Sequence, residues 1–146
     1  MLRIGVIAAG ILAGWQLVWA HGADDPVHYR EGVFGVTGWH FTHMADMVKG
    51  KTPYDAELFA QKASWVHTMS GMVEEGFPKG SFKKGSDAKK EIWENWEDFQ
   101  SKLSDFQKES ASLAEISQGN DWDAIKKQFM ATANTCKACH DDYRED

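Results

Sequence analysis

Cys136, Cys139 and His140 stand close together near the end of a 146-residue chain, in the run "TCKACHDDYR" from Thr135 to Arg144. They include the only two cysteines. On a helix turning about 100° per residue, positions i, i+3 and i+4 share one side within a little over one turn. Two thiols and an imidazole so placed match one cofactor geometrically. Both sulfurs reach the two vinyl groups of one porphyrin edge, and the imidazole points over the ring to the iron. C-x-x-C-H is the pattern of c-type haem attachment. The reading is one haem c, covalent through Cys136 and Cys139, with His140 as the axial ligand of its iron.

Three other chemistries use similar residues. A structural disulfide at this spacing would close a tiny loop and remove little entropy from the unfolded chain. A thioredoxin-like redox pair belongs near a βαβ pattern, which this sequence lacks. A structural zinc site needs four ligands, usually from two clusters, and only one Cys-Cys-His cluster exists.

The elements that must position the motif read as helices. "ADDP" gives an acidic start with Pro26 in the first turn. Arg30, Phe34, Thr37, Phe41, Met44 and Val48 then follow a 4-3 rhythm, until "KGKTP" ends the segment. Thr52 and Pro53 are expected to open a second helix carrying Tyr54, Leu58, Trp65, Met69, Met72 and Val73. "EEGFPKGSFKKGSD" is a loop on its three glycines and proline. The third helix runs from Ile92 through Trp96, Phe99, Leu103, Phe106, Ser110 and Leu113 to Ser117, with one polar slip at Ser110. "SQGND" breaks it, and Asn120 or Asp121 caps the last helix. Trp122, Ile125, Phe129, Ala133, Cys136, His140 and Tyr143 form that helix's stripe, so the motif continues a buried face. No segment alternates as a strand does. The fold class is therefore all-α, an antiparallel up-down-up-down four-helix bundle with covalently bound haem c in its core.

Residues 1–20 have a different character. Arg3, the apolar "IGVIAAGILAGWQLVW" and the small residues of "VWA" describe a cleaved secretory signal. A membrane anchor is the competing reading, but the stretch is near the short limit for spanning. The expected domains are a signal peptide at 1–20 and one bundle domain at 21–146, exported to the periplasm and free of the membrane after cleavage. The net charge of −6 gives no electrostatic reason to bind nucleic acid.

Six residues follow His140. Nothing downstream can cross the other haem face, so any sixth ligand must come from the first three helices. "CKACHDDYR" ending a four-helix pattern, with "YR" at Tyr29 and Arg30, resembles the cytochrome c′ family (class II c-type cytochromes). The resemblance covers about Val27 to Arg144. It implies that Arg30 neighbours the haem propionates and that Arg144 lies near the proximal face. It also implies that the residue one turn after Arg30 points at the open iron face. In low-spin relatives that residue is a ligating methionine; here it is Phe34. Phenylalanine cannot ligate, so the resemblance implies a five-coordinate, high-spin haem with an apolar distal pocket, binding NO or CO. It further implies a homodimer through helices one and two, with a contribution from Trp39.

Met44, Met47, Met69 and Met72 read as core filler. His28, His40, His43 and His67 raise a bis-histidine haem, but His40 and His43 lie off the apolar stripe. His21 at a mature N-terminus raises a copper brace, a chemistry of β-sandwich enzymes. Trp65, Trp96 and Trp122 read as core, while Trp39 and Trp93 lie off the stripes and would mark an interface if exposed. The lysines of "PKGSFKKGSDAKK" read as a solvated loop, with docking of an acidic redox partner protein as the weaker reading. No acid–base pair accompanies the open face, so binding is expected rather than enzymatic turnover. The alternative is a six-coordinate, low-spin electron carrier.

Overall fold

The computed structural model describes residues 25–145. The expected signal segment 1–20 and His21 lie outside them. The first helix, α1 (Pro26–Val48), starts where its sequence provides a cap. Asp25 Oδ1 accepts from the Val27 N–H at 2.8 Å. Pro26 occupies the first turn, where its missing N–H has no intrahelical partner to lose. The second helix, α2 (Ala56–Ser70), begins later than Thr52 and Pro53 suggested. Asp55 takes the cap instead, its Oδ1 accepting from the Leu58 N–H at 3.0 Å. A carboxylate with free N–H groups ahead of it outcompetes a proline-led start.

The expected third helix is two pieces, α3 (Glu91–Glu94) and α4 (Trp96–Ile116). Asn95 separates them at φ −120°, ψ 47°. The segment before Asn95 is tied elsewhere. The Lys89 N–H donates to Tyr143 O at 3.0 Å, and Trp93 Nε1–H donates to Pro78 O at 3.0 Å. Those bonds hold α3 against the preceding loop and the chain end. The last helix, α5 (Trp122–Tyr143), is capped by Asp121, which accepts from the Ala124 N–H at 3.0 Å.

Helix α1 packs on α2, α2 on α4 and α4 on α5. Phe41 of α1 stacks on Phe129 of α5 at 4.5 Å between ring centroids and closes the ring of helices. The result is the four-helix bundle, with α3 an appendage to α4. Met44, Phe59, Val66, Phe99, Leu113 and Ile125 fill its centre. Met47 is buried with them, and Met69 and Met72 pack on the core's margin.

Ser110 is fully buried rather than a slip toward solvent. Its Oγ lies 3.1 Å from Ser70 Oγ, whose hydroxyl donates to His67 O at 2.7 Å. A small satisfied polar pair thus joins α2 to α4 inside the core. One tryptophan differs from expectation. Trp65 is half exposed, because Phe59, Ala63 and Val66 make the buried face of α2. Trp93 is half-buried between Phe77 and Phe82. Among the described residues, no helix is long and apolar enough to cross a membrane.

Candidate functional site

A cavity of about 460 Å³ opens between α1, α4, α5 and the loop before α3. Cys136, Cys139, His140, Arg30, Phe34 and Arg144 all line it. The regular 3.6-residue turn of α5 brings the first three to one wall. Both cysteines are free and half-buried. Burial raises the Cys136 thiol above its ordinary range and pushes that of Cys139 up to about 11. Both are therefore neutral thiols at pH 7. His140 is open to solvent through the cavity mouth. The wall around it still desolvates the ring and, with nearby Arg144, lowers its pKa. A neutral imidazole with a free ring nitrogen is the form that ligates metal.

The opposite wall comes from α1. Phe34 lines the cavity with Gly35, Gly38 and Phe41, and its ring meets Phe77 edge-on at 6.3 Å. Arg30 is buried, and its guanidinium is spent on the loop. Nη1 donates to Gly76 O at 3.1 Å and to Ser81 O at 3.3 Å, and Nη2 donates to Ser86 Oγ at 3.3 Å. Arg144 Nη2 lies 3.2 Å from Asp87 Oδ2. Backbone bonds from Lys89 N–H to Tyr143 O and from Glu145 N–H to Asp87 O clamp the chain end to the same loop.

Among the other polar groups of the wall, Lys102 and Tyr143 are both engaged. Lys102 Nζ lies 3.0 Å from Asp142 Oδ2, a contact that raises its pKa and keeps it charged. The Tyr143 O–H donates to Asp98 Oδ2 at 2.6 Å, and burial with that bond raises its pKa far above 10. Neither is available as a neutral amine or a phenolate. None of His28, His40, His43 and His67, and no methionine among the described residues, lines the cavity. Among the described residues no three His, Cys, Asp or Glu side chains converge as a zinc site would require.

A family model described as Cytochrome C′ matches residues 25–144. The chain belongs to the cytochrome c′ family. It is 33% identical over 127 residues to the cytochrome c′ of Halomonas halodenitrificans, covering 83% of this chain and 96% of that protein. Its fold matches cytochrome c prime from Shewanella frigidimarina with a TM-score of 0.82 and 38% identity, over 87% of this chain and 99% of the other. It also matches a nitric oxide complex of a cytochrome c prime variant from Alcaligenes xylosoxidans, with a TM-score of 0.77 and 32% identity, over 84% of this chain and 95% of the other.

The cytochrome c′ family binds haem c, and the residues here fit that group. Two neutral thiols and a neutral imidazole share one helix wall of a cavity otherwise mostly apolar. The motif and the α1 positions were legible in the sequence. The contribution of the loop at Ser86, Asp87 and Ala88, and of Lys102 on α4, was not. A signal for the loop exists: Lys-Gly-Ser occurs twice, at 79–81 and 84–86, and Arg30 holds both serines.

Proposed function

We propose that this cytochrome c′ family member is an exported, periplasmic gas-binding haem protein with one open axial position. Cys136 and Cys139 hold the haem covalently and His140 is its axial ligand. The observation that carries the open position is the composition of the wall. Among the described residues it offers one imidazole and no methionine, its amine and phenol are already held by carboxylates, and its own lining carboxylates, Glu31 and Asp87, are exposed. Phe34 on the α1 wall presents an apolar ring to that side and has no donor to stabilise bound O₂. NO and CO need less help from such a pocket, and the Alcaligenes xylosoxidans relative is known as a nitric oxide complex. Bound haem supplies the iron at which such gases coordinate. The chain's own residues tether it, orient it and shape access to it. This is a binding role; Arg30 and Arg144, the cavity's two arginines, are both committed to the loop.

The test is the visible spectrum of the purified protein, ferric and reduced, with and without NO and CO. A broad ferrous band that changes on adding either gas supports the open position. Sharp α and β bands indifferent to CO would replace this reading with the six-coordinate electron carrier. A homodimer through α1 and α2 belongs to the same proposal. Val36, Trp39 and Trp65 are exposed on that helix pair, Trp39 by 63%.

A further inference from the structure

The loop between α2 and α3 is built as a surface rather than a slack connection. Pro78–Ser81 and Lys83–Ser86 are two successive turns, closed by Ser81 N–H to Pro78 O and Ser86 N–H to Lys83 O, each at 3.1 Å. Each has a glycine with positive φ in third place, Gly80 at 84° and Gly85 at 87°, as type II turns require. Each has a lysine at its second corner, Lys79 and Lys84. The two serines that close the turns are both bound by buried Arg30. One arginine rising from the cavity wall therefore fixes both corners. Between them stands Phe82, 45% exposed.

The charge here is local and opposite to that of the chain. Residues 78–90 carry five lysines and one aspartate in a protein of net charge −6. Lys79 and Lys84 make no ion pair among the described residues, while Lys83 lies 3.9 Å from Asp25 and Lys90 3.2 Å from Glu94. An exposed aromatic with unpaired cations beside it has the anatomy of a docking centre and its rim. This surface also touches the cavity. Phe82 meets Trp93 at 6.0 Å, Trp93 meets Phe77 at 6.0 Å, and Phe77 lines the cavity. The Arg30 guanidinium packs over Phe77 and Trp93 at 5.0 and 5.7 Å.

We infer that the paired turns at 78–86 dock an acidic one-electron carrier protein, with Phe82 as the apolar anchor and Lys79 and Lys84 as the steering charges. The electron crosses between partner and cavity along the Phe82–Trp93–Phe77 wall. This inference rests on the haem reading above. It adds a partner class and a surface, and it serves either coordination state.

The test uses the ferric holoprotein and flavodoxin hydroquinone, an acidic one-electron donor, in stopped flow. One electron leaves the anionic flavin hydroquinone, giving the neutral semiquinone, and ferric iron becomes ferrous. No proton moves. The rate should fall as salt rises, because attraction between opposite local charges is screened. Lys79→Glu with Lys84→Glu should lower the low-salt rate by about tenfold or more and flatten or reverse that slope. Phe82→Ala should lower the rate and keep the slope. Reduction by hexaammineruthenium(II), a cation, should not slow in the double variant. A wild-type rate that rises with salt would show that the overall negative charge governs encounter and would overturn the proposal. So would a double variant as fast as wild type. A purified protein without haem absorbance would sink the haem reading and this one together; an intact haem spectrum with either kinetic failure sinks the docking alone.

Discussion

Tyr143 and Phe34 face the same cavity with opposite chemistry. The Tyr143 hydroxyl donates to Asp98 at 2.6 Å, and burial plus that partner hold the phenol protonated far beyond its usual pKa. The unfolded phenol ionises near pH 10. A pKa raised on folding stabilises fully below that pH and is lost as pH climbs toward the folded value. Tyr143→Phe should therefore lower stability at pH 7–9 and flatten its decline above about pH 10, measured by denaturant melts across that range. A variant whose alkaline decline matches wild type would remove Tyr143 from this role. Phe34 offers no polar atom, and the α1 wall offers none of the sulfurs that bind iron. Phe34→Met should convert the proposed haem toward six-coordinate low spin, with sharp ferrous bands and CO binding slowed severalfold. An unchanged spectrum would place Phe34 away from the open position. The residues of this wall were legible because ligand chemistry is local: a sulfur and an imidazole are recognisable in any fold. The partners were less so. Asp98 is 45 residues from Tyr143 and Asp87 is 57 from Arg144, and no short-range pattern marks either pair.

Helices were readable to the extent that their own residues specify them. Asp25 and Asp121 cap α1 and α5 where an acid precedes an apolar rhythm. The break at Asn95 was not readable, because its cause lies in contacts to Pro78 and Tyr143 rather than in the 4-3 rhythm, which runs through it undisturbed. Ser110 likewise looked like an error in the stripe until Ser70 supplied its partner from α2. Gly76 shows the same dependence from the other side. It ends a short 3₁₀ turn (Glu74–Gly76) and lies against α1. A Cβ there would stand 2.6 Å from Arg30 Cβ and 3.2 Å from Arg30 Cα. The Cα belongs to the helix backbone and the Cβ is fixed directly to it, so neither can swing aside. Gly76→Ala should destabilise by about 1–3 kcal/mol through overpacking, read by chemical denaturation. It should also loosen Arg30 from the loop, since Gly76 O is one of its acceptors. Stability within error of wild type would mean the loop can retreat, and the clamp would be softer than its bonds suggest.

Across the whole molecule, the bundle turns two different faces outward from α1. One side of that helix, at Phe34, Gly38 and Phe41, lines the cavity. Val36 and Trp39 point away from it and stand 43% and 63% exposed. On the adjacent α2, Trp65 is 48% exposed and stacks on His40 at 6.2 Å, while Trp39 leans on His43 at 4.6 Å. Large aromatics left in water on a packed helix pair gain most by meeting another apolar face. A self-complementary dimer meets that need with one patch used twice, the commonest symmetry of soluble oligomers. Trp39→Glu would place a carboxylate in the centre of such an interface, opposite its own copy across the two-fold axis. Sedimentation of the holoprotein should then report a monomer, against a dimer for the unsubstituted protein if the proposed interface holds. Because Trp39 lines no part of the cavity, the haem spectrum and its response to CO should stay as they were. A variant that remains dimeric would move the contact off α1 and α2. A monomer whose CO response also changed would instead couple the two sides of α1, and the outer face would then regulate the cavity as well as join the subunits.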